Sequence, residues 1–261
     1  MIMKRILFAF IALVLAVASA QALTIAQRAD SAYNAENYRL AIDLYRQALA
    51  HDGVSANVYY NLGNAYYRID KLGSAVANYE RALRLDPADA DARQNLEFVK
   101  SRIQDRPEDD TAFLASLHHS MVQSMTANAW AWTAFVIFLL FMGAVALYIF
   151  ATGVGLRKTG FFGGIVLLVM LAYSLCAASD AVERATAHSR AVVIVPSTQL
   201  SSAPRASRSA ADKVVSLHEG TVVEVIDSVA TPDDPQSPMW YNVKINNSTK
   251  AWLRSADVER I

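Results

Sequence analysis

The residues of this chain that could do chemistry are few, and their spacing argues against a shared centre. His118 and His119 are adjacent in a segment of helical periodicity, where neighbouring side chains diverge by about 100°, so one helix face cannot offer both to a metal ion. His51, His188 and His218 are isolated from one another along the chain. Cys176 is the single cysteine, which excludes a disulfide framework, a cysteine-based zinc site and a CxxC redox pair; inside its apolar run it reads as a small hydrophobe. A glycine-rich phosphate loop, an HExxH and a GxSxG are all missing from the sequence. The expectation is therefore no catalytic residue, no metal ligand and no cofactor, which leaves binding surfaces as the place to look for function.

Composition narrows what those surfaces could meet. The 261 residues carry 24 Lys+Arg against 24 Asp+Glu, with 54% hydrophobic and only 18% charged residues, below the roughly 25% charged of soluble domains. That excludes a disordered chain and a basic nucleic-acid binder, so no nucleic-acid partner is expected. A mean hydropathy of +0.21 means that apolar residues are concentrated in particular stretches. The first lies at the N-terminus, where Lys4 and Arg5 precede the apolar run Ile6 to Val17 and then Ala18-Ser19-Ala20. This pattern predicts a signal peptide over 1–20, cleaved after Ala20 or, as the near alternative, after Ala22; an uncleaved anchor would export the following segment equally.

Two further windows predict membrane spans. Ala129 to Ala151 is uncharged and as a helix would reach about 34 Å, and Phe161 to Ser179 is a second, shorter candidate. Trp130 and Trp132 are placed as interfacial anchors. The connector 152–160 carries Arg157 and Lys158 with no acid, which puts it in the cytoplasm and both flanking parts outside the inner membrane, in the periplasm. Before the first span, residues 106–128 read as a hinge, Arg106-Pro107-Glu108-Asp109-Asp110, followed by a surface-lying helix marked by Leu114, Leu117, Met121 and Met125. After the second span, residues 180–190 read as a linker.

The elements that present a binding surface lie between the signal and the hinge. Residues 56–89 and the preceding 34 agree in register in their second halves: Ala41 with Ala75, Tyr45 with Tyr79, Ala48 with Ala82. Gly63, Ala75 and Ala82 are small where two helices would cross, Tyr66 and Tyr79 fill the space beside them, and Pro87 stops the second helix. With Asn61-Leu62-Gly63 and this period, the segment resembles the tetratricopeptide repeat, a helix-turn-helix unit. The resemblance implies an all-α array over 21–105, in which a degenerate first repeat ends at Gly53 and a capping helix covers 89–103. It also implies a concave groove lined by the first helices, here Asp30, Asn34, Asn57, Tyr60, Asn64, Tyr67 and Arg68. Amide and aromatic side chains suit a peptide segment, whereas Asp30 argues against capture of a terminal carboxylate.

Beyond residue 190 the period changes to that of short β-branched strands bounded by Pro, Gly, Asp and Asn. LHEGTVVEVID, MWYNVKI and KAWLRSADV, with Glu219-Gly220-Thr221 leading into a strand and with Trp240 and Trp252, resemble bacterial SH3-like domains. The expectation is an all-β SH3-like barrel over 191–261, with a hairpin at Asn246-Asn247 and an inserted loop from Thr231 to Pro238. The order of parts, a multidomain membrane protein of helical array, two transmembrane helices and SH3-like barrel, resembles the E-protein family of the Bat aerotolerance operon of Bacteroidetes. That resemblance implies a non-enzymatic, inner-membrane-anchored periplasmic adaptor, with the lipid bilayer as one partner. It would work beside von Willebrand factor A-domain membrane proteins and a MoxR-type AAA+ ATPase. The alternative is a cell-wall module that binds peptidoglycan peptides through the SH3-like segment.

Overall fold

The structure, a computed structural model, describes residues 23–105, 113–186, 189–205, 212–230, 239–245 and 249–261. The signal-peptide expectation, the Arg106–Asp110 hinge, His188, the 231–238 insertion and the Asn246-Asn247 hairpin lie outside the described residues.

Five helices form the N-terminal array: α1 (Ile25–Asn34), α2 (Tyr38–His51), α3 (Ala56–Arg68), α4 (Leu72–Leu85) and α5 (Ala90–Lys100). The starts of α1, α2 and α5 are written in side chains, Thr24, Asn37 and Asp89, that accept from otherwise orphaned N–H groups. The Thr24 hydroxyl accepts from the Gln27 N–H at 3.1 Å while Gln27 Oε1 accepts from the Thr24 N–H at 2.9 Å, a capping box. Asp89 accepts from the Ala92 N–H at 2.9 Å at the start of α5. The turn inside each helix pair depends on a left-handed residue at the same place in the period, Glu36 and Asp70, both at φ 59°. Ala29, Ala41, Ala65, Ala75 and Ala82 are fully buried, and a Cβ at Gly63 would stand 2.8 Å from the Tyr79 ring, so close crossing of the helices is the basis of the core. Helix α4 ends at Leu85, two residues ahead of Pro87.

After α6 (Phe113–Gln123) come the two apolar helices, α7 (Ala127–Phe150) and α8 (Val154–Thr186). Both are long and apolar enough to cross a membrane. Unlike the core helices of a soluble protein their apolar windows are only 6% and 17% buried. They pair closely at Gly160, where a Cβ would lie 2.7 Å from the Ala144 carbonyl oxygen and from the Tyr148 N atom, and Gly164 follows one turn on, 3.8 Å from the Ala144 methyl. This is a small-residue seam of the kind that brings helices together where water gives no drive. Gly160→Leu is expected to destabilise the detergent-solubilised chain by about 1–3 kcal/mol or more. A thermal melt indistinguishable from that of the unchanged protein would mean that the seam is not a packed contact.

Three expectations need correction here. The 152–160 connector is helical from Val154, because Arg157 donates to the Tyr148 carbonyl at 3.2 Å and so satisfies the end of α7. The 180–190 linker is helical to Thr186: Ala177 and Ala181 pack with Val122 and Trp130, and Arg184 donates to the carbonyls of Asp180 (3.2 Å) and Val122 (2.9 Å). Trp130 is 7% exposed, wedged against α6 and α8 rather than facing outward, while Trp132 is 62% exposed. On α6, His118 bonds Asp180 (3.0 Å) and lies 3.3 Å from the Tyr173 hydroxyl, both on α8, so the helix is tied to its neighbour.

The C-terminal region is one antiparallel sheet of β1 (Arg190–Val193), β2 (Ser197–Ser201), β3 (Lys213–His218), β4 (Val222–Ala230), β5 (Met239–Lys244), β6 (Lys250–Arg254) and β7 (Val258–Arg260). Its order is β3-β2-β6-β5-β4-β1-β7. The antiparallel sheet fits the expected all-β segment; among the described residues β3 and β7 stand at the two ends of the order without pairing, so closure into a barrel is not seen. Asp257, 7% exposed, ties three segments by accepting from the Thr198 hydroxyl (2.6 Å) and from Arg254 (3.1 Å).

The sheet is docked on the helical array. Strand alternation divides β1 between two cores: Ala191 and Val193 face the sheet interior, and Val192 joins the core of the array. Gly73, in the first turn of α4, lies against the backbone of Val193 and Ile194, and its N–H donates to Glu219 at 3.0 Å. Gly220, at φ +91°, lets Ile103 approach to where a Cβ would be 2.5 Å from its Cδ1. Around this contact Arg81 pairs with Glu259 and donates to the Arg260 carbonyl. Glu80 accepts from Lys100 (2.8 Å) and Arg190 (3.2 Å). Asp105 accepts from the His218 N–H (2.6 Å), its ring (2.8 Å) and the Thr221 hydroxyl (2.9 Å).

Candidate functional site, the inner face of the helical array

First helices alternate with second helices along the array, so α1, α3 and α5 share one face. On it a hydrogen-bond unit repeats with the 34-residue period. Tyr45 donates to Asp30 at 2.6 Å and Asn61 donates to the same oxygen at 3.2 Å. One period on, Tyr79 donates to Asn64 at 2.6 Å and Asn95 donates to Asn64 at 3.0 Å, with the Tyr60 hydroxyl 3.3 Å away. Each unit thus links a first helix, its own second helix and the first helix that follows. Burial and then Asp30 push the Tyr45 hydroxyl well up from its ordinary value, and burial and then Tyr60 do the same at Tyr79, so both remain O–H donors.

That network separates the expected groove residues into two sets. Asp30 and Asn64 are half-buried and spend their acceptors inside the array, and Tyr60 contacts the Tyr79 ring at 6.1 Å. These hold the frame, so an Asn64→Ala variant would damage packing as well as any binding. Asn34, Asn57 and Arg68 are exposed. Tyr67 is intermediate: its ring meets Phe98 edge-on at 5.9 Å and its hydroxyl accepts from Arg102 at 2.7 Å. Arg68 stacks over the Tyr38 ring at 4.7 Å.

Three contributors lie outside the sequence reading, Asn95, Phe98 and Arg102, and Asn61, there part of the repeat motif, also bonds within the network. A signal for them existed. Phe98 lies 34 residues after Asn64, and Arg102 lies 34 after Arg68, so carrying the period through the capping helix would have found both. Phe98 is 55% exposed, a large apolar side chain on the rim of an otherwise polar face. The rim therefore offers one apolar contact, two guanidinium groups and two primary amides.

The remaining expected residues lie elsewhere. Gly63, Tyr66, Ala75, Tyr79 and Ala82 are buried between the helices of the array, and Pro87 follows α4. Trp240 is 2% exposed, and its Nε1 has no hydrogen-bond partner among the described residues; Trp252 is half-buried in β6. No group of three or more His, Cys, Asp or Glu side chains able to hold a metal ion occurs among the described residues.

Comparison with known families finds a tetratricopeptide repeat at residues 56–89. No curated protein matches the chain. The match covers α3, the turn at Asp70 and α4, the unit whose network is complete through Asn95. Repeats of this type mediate binding of protein partners.

Proposed function

We propose that the protein is a non-enzymatic scaffold, anchored in the inner membrane by α7 and α8, that holds a peptide segment of another envelope protein against the inner face of its helical array. The observation that carries this reading is the rim of Asn34, Asn57, Arg68 and Phe98, which is exposed and lies outside the hydrogen-bond units centred on Asp30 and Asn64. Phe98 would seat an apolar side chain of the partner, and Arg68 and Arg102 would meet its carboxylates or carbonyls. Two apolar helices with mostly exposed surfaces support the anchoring, and Arg157 and Lys158 at their turn support a cytoplasmic turn with the array and sheet in the periplasm. In the Bat-type setting suggested by the order of segments, the partner would be a von Willebrand factor A-domain membrane protein.

The cell-wall alternative loses ground on two observations. Trp240 is buried rather than displayed. The sheet, read with an SH3-like strand pattern, is docked on α4 through Gly73 with Glu219 and Arg81 with Glu259.

Photo-crosslinkers placed at Asn34 and Asn57 in native membranes, followed by mass spectrometry, test the reading. Crosslinks to a membrane protein are expected, at least tenfold weaker with Phe98→Ala and Arg68→Ala combined. Crosslinks arising only from the sheet, or only to muropeptides, would replace the scaffold with the wall-binding module.

A further inference from the structure

Where the ends of the apolar helices meet α4 and the start of β1, the protein leaves a cleft of about 450 Å³. Its walls are the last turn of α4, the first turn of α7 with Met125 ahead of it, and the last turns of α8 at Ala181 and Ala185. Three guanidinium groups line it, Arg84, Arg184 and Arg190, against a single carboxylate, Glu80. That carboxylate is already taken by Lys100 and Arg190. Arg184 is held by two backbone carbonyls. Among the described residues Arg84 has neither a hydrogen-bond nor an ion-pair partner, although it is only partly exposed. Burial and then the Arg190 cation push its guanidinium down from the ordinary value, which is the position of a cation crowded by cations. Arg84 also lines an adjoining cleft of about 570 Å³ with Arg81, which pairs with Glu259, and Arg260.

We propose that this cleft binds the headgroup phosphate of an anionic phospholipid, with Arg84 as its main ligand and Arg184 and Arg190 beside it. A guanidinium offers phosphate two parallel N–H donors, and the binding strengthens where water is partly excluded. The apolar part of the lining, Leu83, Met125, Ala127 and Ala181, runs on to the exposed apolar surfaces of α7 and α8, where the upper acyl chain would lie. A free phosphate would gain nothing from that wall. A zwitterionic headgroup would bring its own ammonium toward three cations. The inference rests on the anchored reading, since only a spanning helix pair puts this cleft at headgroup depth.

The experiment uses the full chain in detergent, with native mass spectrometry and thermal melts after addition of phosphatidylglycerol, phosphatidylcholine or inorganic phosphate. One retained phosphatidylglycerol is expected, with a melting rise that phosphatidylcholine and inorganic phosphate do not produce. Arg84→Gln should weaken retention at least tenfold without lowering the lipid-free melting temperature, and Arg84→Lys should restore part of it. Equal retention of phosphatidylcholine, or no effect of Arg84→Gln, overturns the site. An equal rise with inorganic phosphate overturns the lipid assignment in favour of a simple anion site. Release of the protein from membranes by alkaline carbonate would instead overturn the anchoring itself, which is a distinct result from anchoring without lipid preference.

Discussion

Gly73→Val is expected to lower the thermal midpoint of the full chain by several degrees and to part the helical array from the C-terminal sheet. A Cβ at this position collides with the Val193 carbonyl oxygen and would stand 3.0 Å from the Ile194 Cα and 2.9 Å from the Glu219 Cγ. Two of these three obstacles are backbone, so the strand cannot yield by rotating a side chain, and overpacking of this kind costs about 1–3 kcal/mol or more. The hydrogen bond from the Gly73 N–H to Glu219 would be strained at the same time. Helix propensity predicts the opposite sign for the smaller change, since Gly73→Ala in an isolated helix gains about 1 kcal/mol. Melts of both variants, with limited trypsin digestion around Arg102, separate the two effects. A Gly73→Ala protein more stable than its parent, with unchanged digestion, would show that α4 and β1 do not touch as described.

The second large effect is expected at Glu80. Burial alone would push this carboxyl up, but Arg190 and Lys100 beside it more than offset the burial and hold it below its ordinary value of 4.5. Asp105 is likewise held low: burial acts upward, and the hydrogen bonds from the His218 N–H, the His218 ring and the Thr221 hydroxyl outweigh it. For a carboxyl whose folded value is depressed, the unfolded chain binds the proton more readily. Its contribution is therefore complete above the unfolded value and is lost as pH falls through the folded one. Docking should hold at neutral pH and weaken below about pH 4.5. Glu80→Gln should cost about 1–3 kcal/mol at pH 7, because two partly exposed cations lose their carboxylate. The gap between parent and variant should then close as the solution is acidified to pH 3. A gap that stays constant across that range would mean that Glu80 acts through packing and not through charge.

How much of this could be read from the sequence depends on the range over which each feature acts. The 34-residue period, the alanines at helix crossings and the two uncharged runs are local or periodic, and they carry the array and the apolar helices. The same period also held Asn61 and Asn95, and with them the reason that Asp30 and Asn64 serve the frame. In sequence Asp30 and Asn64 read as binding-face residues, because a helical wheel shows where a side chain points and not what it already bonds. The docking of array and sheet was illegible for a physical reason. Its contacts, Gly73 with Glu219 and Arg81 with Glu259, join residues 146 and 178 apart, and nothing in either segment's periodicity announces a partner so distant. Gly73 looks like a weak helix residue until β1 is seen against it. The 180–190 segment reads as a linker because its Asp, Glu and Arg residues suggest solvent, whereas Arg184 turns its donors to backbone carbonyls and Ala177 and Ala181 pack inward.

The continuity of α8 has a mechanical side. This helix runs unbroken from Val154 to Thr186, and β1 begins at Arg190. A helix of this length is a stiff rod, and α6 braces it through His118 and Asp180. If α8 tilts against α7 about the Gly160 seam, the rod carries the movement to the sheet and, through Gly73 and Glu80, to the array. The direction in which the array's open face looks relative to α7 and α8 is thus set by the helix pair. Force applied to that face would travel down the same rod to the turn between α7 and α8.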